Sequence, residues 1–159
     1  MWIDLLGIYL NDHLAGATGA RALARRAASN NARSSYGRFL ARLAKEVDQD
    51  RESLLGIMRE LEVGTDQLKV LGGWGAEKLG RLKLNGRLLG YSPLSRVVEL
   101  EALLLGVRGK LGLWHTLRDI EHERPTLARF DLGELIRRAE RQLEGLETHR
   151  RRAAAAAFG

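Results

Sequence analysis

The chain of 159 residues has no cysteine, only two prolines, and three each of Phe, Trp and Tyr. Without cysteine there are no disulfides, no thiol nucleophile and no thiolate metal site. A reducing cytoplasm suits such a chain and is the expected location. No stretch approaches the roughly 18 apolar residues needed to span a bilayer. Met1-Trp2-Ile3-Asp4 carries no basic leader, and Leu5–Leu10 is too short for a secretory core. Serines and histidines are scattered with no nucleophile elbow, and no Gly-rich phosphate loop follows a strand. Gly72-Gly73-Trp74-Gly75 lacks phosphate-loop spacing and reads as a bend.

What is present is helical periodicity. Apolar residues recur at helical spacing near 3–28, 35–62, 93–122 and 130–157. The first and last links are short, while the middle one, 64–92, is about thirty residues. Short links join antiparallel neighbours, and a long one lets the chain return along the whole bundle. The expected fold is therefore all-α, an up-down-down-up four-helix bundle in one domain, 1–159, with one crossover between helices 2 and 3. The crossover is expected to hold helix near 66–72 and 74–84 and an Asn85-Gly86 turn.

The helix ends carry matching signals. Asn30-Asn31 and Ser34-Ser35 mark the first turn, with Asn for a left-handed stop and Ser for a cap. Gly64 reads as a C-cap residue. Ser92-Pro93 is a cap followed by proline at the first helical position, and Asp131 with Glu134 reads as a capping box.

On a helical wheel the first helix shows Leu6, Tyr9, Leu10, His13, Ala17, Ala20, Leu23, Ala24 and Ala27 on one face. Asp4, Asn11, Thr18 and Arg25 form the opposite ridge. The second helix carries Tyr36, Leu40, Leu43, Val47, Asp50, Leu54, Ile57 and Leu61, a heptad that Asp50 interrupts. The third turns Glu99, Leu100, Leu103, Gly106, Val107, Lys110, Leu113, Trp114 and Leu117 away from a ridge of Glu101, Arg108, His115 and His122. The fourth turns Leu132, Leu135, Ile136, Ala139, Leu143 and Leu146 inward, with Gln142 and His149 at the edge.

Eighteen glycines is many for a helical chain, since each interior Gly costs about 1 kcal/mol relative to Ala. Some belong to a faint repeat: Leu14-x-Gly16-x-x-Gly19-x-x-x-Leu23 matches Leu104-x-Gly106-x-x-Gly109-x-x-x-Leu113. Small residues so spaced are expected to let two backbones approach closely.

In an up-down-down-up bundle, His13, Asp50, Lys110 and Gln142 fall at one height on four different helices. They form the expected buried polar layer. A buried carboxylate needs a partner, because an unpaired ion in a low-dielectric core costs several kcal/mol. Lys110 is therefore expected to pair with Asp50, with His13 and Gln142 completing a hydrogen-bonded layer that fixes helix register.

This architecture and polar layer resemble the ferritin-like superfamily over essentially the whole chain. Metal-binding members place a Glu on each of two helices and Glu-x-x-His on each of the other two. Here the second helix offers Glu46-x-x-Gln49 and Asp50, and the fourth offers Glu144-x-x-Glu147 and His149, off register. Glu99 faces inward nearer the opposite pole, and no Glu-x-x-His occurs. The chain looks like the ligand-poor bacterial relatives of ferritins. That resemblance implies a bundle with no di-metal centre and no cofactor, an interaction or structural protein rather than an enzyme. The alternative is a metal-binding oxidoreductase or iron-handling protein, with iron or manganese on His13, Glu46, Asp50 and His149.

The net charge of +6 is unevenly placed. Arg21, Arg25, Arg26, Arg33, Arg38, Arg96, Arg150, Arg151 and Arg152 are expected at one pole. Cations at helix C-termini complement the dipole, an account that fails for Arg33 and Arg38 at a helix start. The further alternative is anion or nucleic-acid binding through this basic pole. The favoured partner is another protein or a second copy of the chain, with Phe158 as a contact. Nucleic acid and a membrane surface under Trp74, Leu79, Leu82, Leu84 and Leu88 rank below it.

Overall fold

A computed structural model describes residues 4–66 and 90–159. Four helices are present among them: α1 (Leu5–Asn30), α2 (Gly37–Glu60), α3 (Pro93–Asp119) and α4 (Leu132–Phe158). A short 3-10 turn, Pro125–Arg129, precedes α4. The expected crossover helices, the Asn85-Gly86 turn, the Gly72–Gly75 bend and the Trp74–Leu88 apolar groups lie outside the described residues.

Cross-helix contacts fix the directions. The start of α1 meets the end of α3 through Tyr9 and Thr116, and the end of α1 meets the start of α3 through Asn30 and Glu99. Arg21 reaches Asp48 on α2, and Arg152 near the end of α4 reaches Ser35 just before α2. Helices α1 and α4 thus run one way and α2 and α3 the other. This is the up-down-down-up, all-α bundle, with α2 ending and α3 beginning at opposite poles.

The core follows the wheels closely. In α2, Tyr36, Leu40, Leu43, Val47, Asp50, Leu54 and Ile57 are all buried. In α3, Leu100, Leu103, Val107, Leu113, Trp114 and Leu117 are buried, and in α4 Leu132, Leu135, Ile136, Ala139, Leu143 and Leu146. Apolar area removed from water at about 25 cal/mol per Å² is what drives the helices together.

The ends differ in detail from the expectation. Asn31 is not left-handed, at φ −111; its side-chain amide instead donates to the Ala27 carbonyl and the Tyr91 hydroxyl. Gly64 is not the C-cap of α2. Glu62 takes the left-handed conformation at φ 57, and the Val63 N–H donates back to the Met58 carbonyl, the long-range closing bond of a Schellman end. Ser92 caps α3 as expected, and Ser95 reciprocates, so the box forms there. Asp131 accepts from the Glu134 N–H, but the Glu134 carboxylate turns to Arg137 and Arg141 instead. Asn11, placed on the polar ridge, is buried. It donates to the Gly7 and Gly64 carbonyls and accepts from the Asp66 N–H, clasping the segment after α2 onto α1.

The glycine repeat also behaves differently. A Cβ on Gly16 or Gly109 would meet nothing within 4 Å among the described residues, and one on Gly106 would meet only the Ala20 methyl at 3.8 Å. At Gly106 the small residues do let α1 and α3 approach, whereas Gly16 and Gly109 border open space among the described residues. A tighter contact lies at Gly145 of α4, where a Cβ would stand 2.5 Å from the Phe39 ring.

Candidate functional site: a polar layer and the cleft beside it

Asp50 is the hub of the bundle centre. It occupies a heptad position of α2 and its side chain is 3% exposed. Oδ2 accepts from the Lys110 ammonium of α3, and Oδ1 accepts from the Arg138 guanidinium of α4. Gln142, one turn along from Arg138, completes the arrangement. Its Oε1 accepts from Lys110 at 2.6 Å, and its Nε2 donates to Glu46 at 2.9 Å and to Asp50 at 3.2 Å. Arg138 also reaches Gln49 at 3.3 Å, while its Nε is buried without an acceptor.

This geometry sets the electrostatics. Burial pulls the Lys110 ammonium below its ordinary range, and the adjoining Asp50 carboxylate opposes that shift. A carboxylate gripped by two cations is held for structure, because stripping one partner from a buried pair costs about 3–5 kcal/mol. Surface ion pairs are worth about 0–1 kcal/mol, so the layer dominates the pairs of the bundle exterior.

His13 does not join the layer. It is half-buried on α1 and stands edge-on to the Tyr9 ring at 4.6 Å. It makes no hydrogen bond among the described residues. Its height was right and its reach was not: Tyr9 holds the imidazole on the α1 side of a cleft. Burial lowers its pKa, with Asp12 opposing. Arg138 is the member that the wheel missed. It sits one turn before Gln142 at the rim of α4, and its contact with Asp50 depends on the length of the guanidinium arm.

The metal alternative required His13, Glu46, Asp50 and His149 together. Glu46 and Asp50 do share Gln142. His149 lies elsewhere, its ring stacked on Phe39 at 4.1 Å and its Nδ1 at 2.7 Å from the Gly145 carbonyl. Among the described residues no three His, Asp or Glu side chains converge. Glu99 is the second buried carboxylate, near the other pole. The Asn30 amide and the Tyr91 hydroxyl each donate to it at 3.3 Å, and Arg26 stands at 3.7 Å. Burial pushes the Glu99 carboxyl up, against the pull of Arg26, and drives the Tyr91 phenol up to about 12.

Most of the basic pole is engaged within the protein. Arg21 and Arg25 share Asp48. Arg96 donates to Asn31 and lies over the Tyr36 ring at 4.5 Å, which Arg152 also covers at 4.2 Å. Arg150 and Arg151 hold Glu147, lowering its carboxyl to about 2. Arg33 and Arg38 are exposed and make no ion pair among the described residues.

Beside the polar layer runs a cleft of about 620 Å³ between α1 and α3, floored by α2. Ala17, Gly16, Gly106, Gly109 and Leu103 line it, with His13, Lys110 and Trp114 at its polar end. Three glycines of the repeat, Gly16, Gly106 and Gly109, thus border this cleft.

No protein-family model, curated protein or solved structure matches the chain. Among the described residues no helix is long and apolar enough to cross a membrane.

Proposed function

We propose that this chain is a ferritin-like bundle without a di-metal centre, acting as an interaction or structural protein of the cytoplasm. The observation that carries this reading is the Lys110–Asp50–Arg138 cluster at the level where metal-binding bundles place their ligands. A protonated ammonium offers no lone pair to a metal, and two cations on one carboxylate repel a third. Glu46 and Asp50 are further tied to Gln142, so recruiting them to an ion would strand Lys110 and Arg138 in the core. The partner, on this reading, is another protein or a second copy of the chain. Exposed Leu5, Ile8, Leu94, Leu105 and Phe158 are the apolar groups open to it.

The test is the metal content of protein purified without chelator, combined with its oligomeric state. Iron, manganese and zinc far below one per chain, with a discrete oligomer or a stable captured partner, support the proposal. A stoichiometric metal that Asp50→Ala or Glu46→Ala releases would overturn it in favour of the oxidoreductase or iron-handling alternative. The basic-pole alternative now rests mainly on Arg33 and Arg38. It predicts salt-sensitive oligonucleotide binding that their joint replacement by Ala abolishes.

A further inference from the structure

We propose that the α1–α3 cleft binds one uncharged, elongated apolar molecule carrying a single hydrogen-bonding head group, as a fatty alcohol does. This goes beyond the interaction role and does not depend on it.

The size is right. At about 620 Å³ the cleft falls in the roughly 300–1,000 Å³ range of small-molecule sites. Its walls run from Tyr9 to Ala20 along α1, about 16 Å at 1.5 Å per residue. That is long enough for an extended hydrocarbon chain.

The chemistry of the walls selects the ligand. Leu103, Leu105, Val107, Ala17 and Ala20 supply apolar surface, and the glycines supply room. Among the described residues alanine would fit at Gly16 or Gly109 without a clash and would strengthen the helix, so packing there does not force the open space. The cationic lining groups are already matched: Lys110 by Asp50 and Gln142, and Arg51 by Thr18 and Glu52. A carboxylate head would arrive beside Asp12 and Asp50 with no unpaired cation to meet it, and an ammonium head would arrive beside Lys110 with both of those carboxylates already engaged. An uncharged head meets neither penalty.

One polar group in the wall makes no hydrogen bond among the described residues. It is His13, and its neutral imidazole has a donor and an acceptor to offer. A hydroxyl can both donate to and accept from that imidazole.

The experiment uses the full chain, with phenylnaphthylamine as a fluorescent reporter and dodecanol, dodecanoate and dodecylamine as competitors, each below its aggregation limit. Dodecanol should displace the reporter from one saturable site and bind about tenfold or more tightly than the two charged analogues. Gly16→Leu and, separately, Gly109→Leu place a side chain in the cleft and should weaken dodecanol at least tenfold, while circular dichroism and thermal unfolding report an intact fold. Gly112→Leu, exposed and outside the cleft, should leave binding unchanged. His13→Phe keeps an aromatic ring and should weaken dodecanol about threefold to tenfold, the worth of one net hydrogen bond. Non-saturable binding, dodecanoate equal to or better than dodecanol, or a folded Gly16→Leu chain that binds as the parent does would each overturn the proposal. Failure here leaves the metal and oligomer measurements untouched, so the two readings fall separately.

Discussion

At one height of the bundle the two flanks are built in opposite ways. Between α2 and α4 the chain closes the gap with long side chains: Asp50 and Glu46 on one helix, Arg138 and Gln142 on the other, joined by hydrogen bonds. Between α1 and α3 it leaves a cleft, with Gly16 and Gly109 where, among the described residues, side chains would fit. Glycine itself reads differently on the two flanks. At Gly145 it admits the Phe39 ring, whereas at Gly16 it admits nothing. A small residue in a helix therefore signals either a close approach or a cavity, and spacing alone does not separate them. What separates them is the facing side chain: bulky Phe39 opposite Gly145, and small Ala20 opposite Gly106.

Breaking the closed flank should have the largest effect. Asp50→Ala leaves Lys110 and Arg138 with no carboxylate, and urea unfolding should register a loss of about 3–5 kcal/mol. A loss under 1 kcal/mol would mean that the layer is a surface-like pair of little consequence. Gly145→Ala comes next, because its methyl must displace a ring stacked on His149. A destabilisation of about 1–3 kcal/mol is expected, read by the same unfolding curve. Gly16→Ala should move the other way, raising stability by about 1 kcal/mol from helix propensity alone. If it destabilises instead, the α1–α3 gap is not open.

The smallest effect concerns pH. Burial lowers the His13 pKa from its ordinary value of 6.5. Between that value and the lower folded-state one, the unfolded chain holds more protons, so stability rises with pH and is lost on acidification. Glu99, raised by burial from its ordinary value of 4.5, works the opposite way as pH rises above that value. The contribution of His13 is isolated by comparing the parent with His13→Gln. The stability gap between them should shrink from about pH 7 to about pH 5. A gap independent of pH would place His13 in solvent.

Much of the arrangement was legible in residue order. Asp50 stood out as the one polar member of an apolar heptad, and Lys110 as a cation on an apolar face, so their meeting followed from topology. Ser92-Pro93 announced the start of α3. What escaped were groups whose place depends on reach rather than on wheel angle. Arg138 enters the layer because a long guanidinium arm spans from the rim of α4 to Asp50. Asn11 left its ridge because a loop after α2 needed its backbone groups satisfied. His13 was at the correct height, but an imidazole is too short to cross a cleft whose existence no periodicity announced.

The most direct examination of the central claim is a double-mutant cycle on Lys110 and Asp50, followed by urea unfolding. If their pairing holds the core, Lys110→Met in the parent should cost about 1.5–3 kcal/mol, because Arg138 still holds Asp50. The same change made beside Asp50→Leu should cost markedly less, giving a coupling of at least about 1 kcal/mol. Additive losses, or a Lys110→Met chain as stable as the parent, would contradict the account.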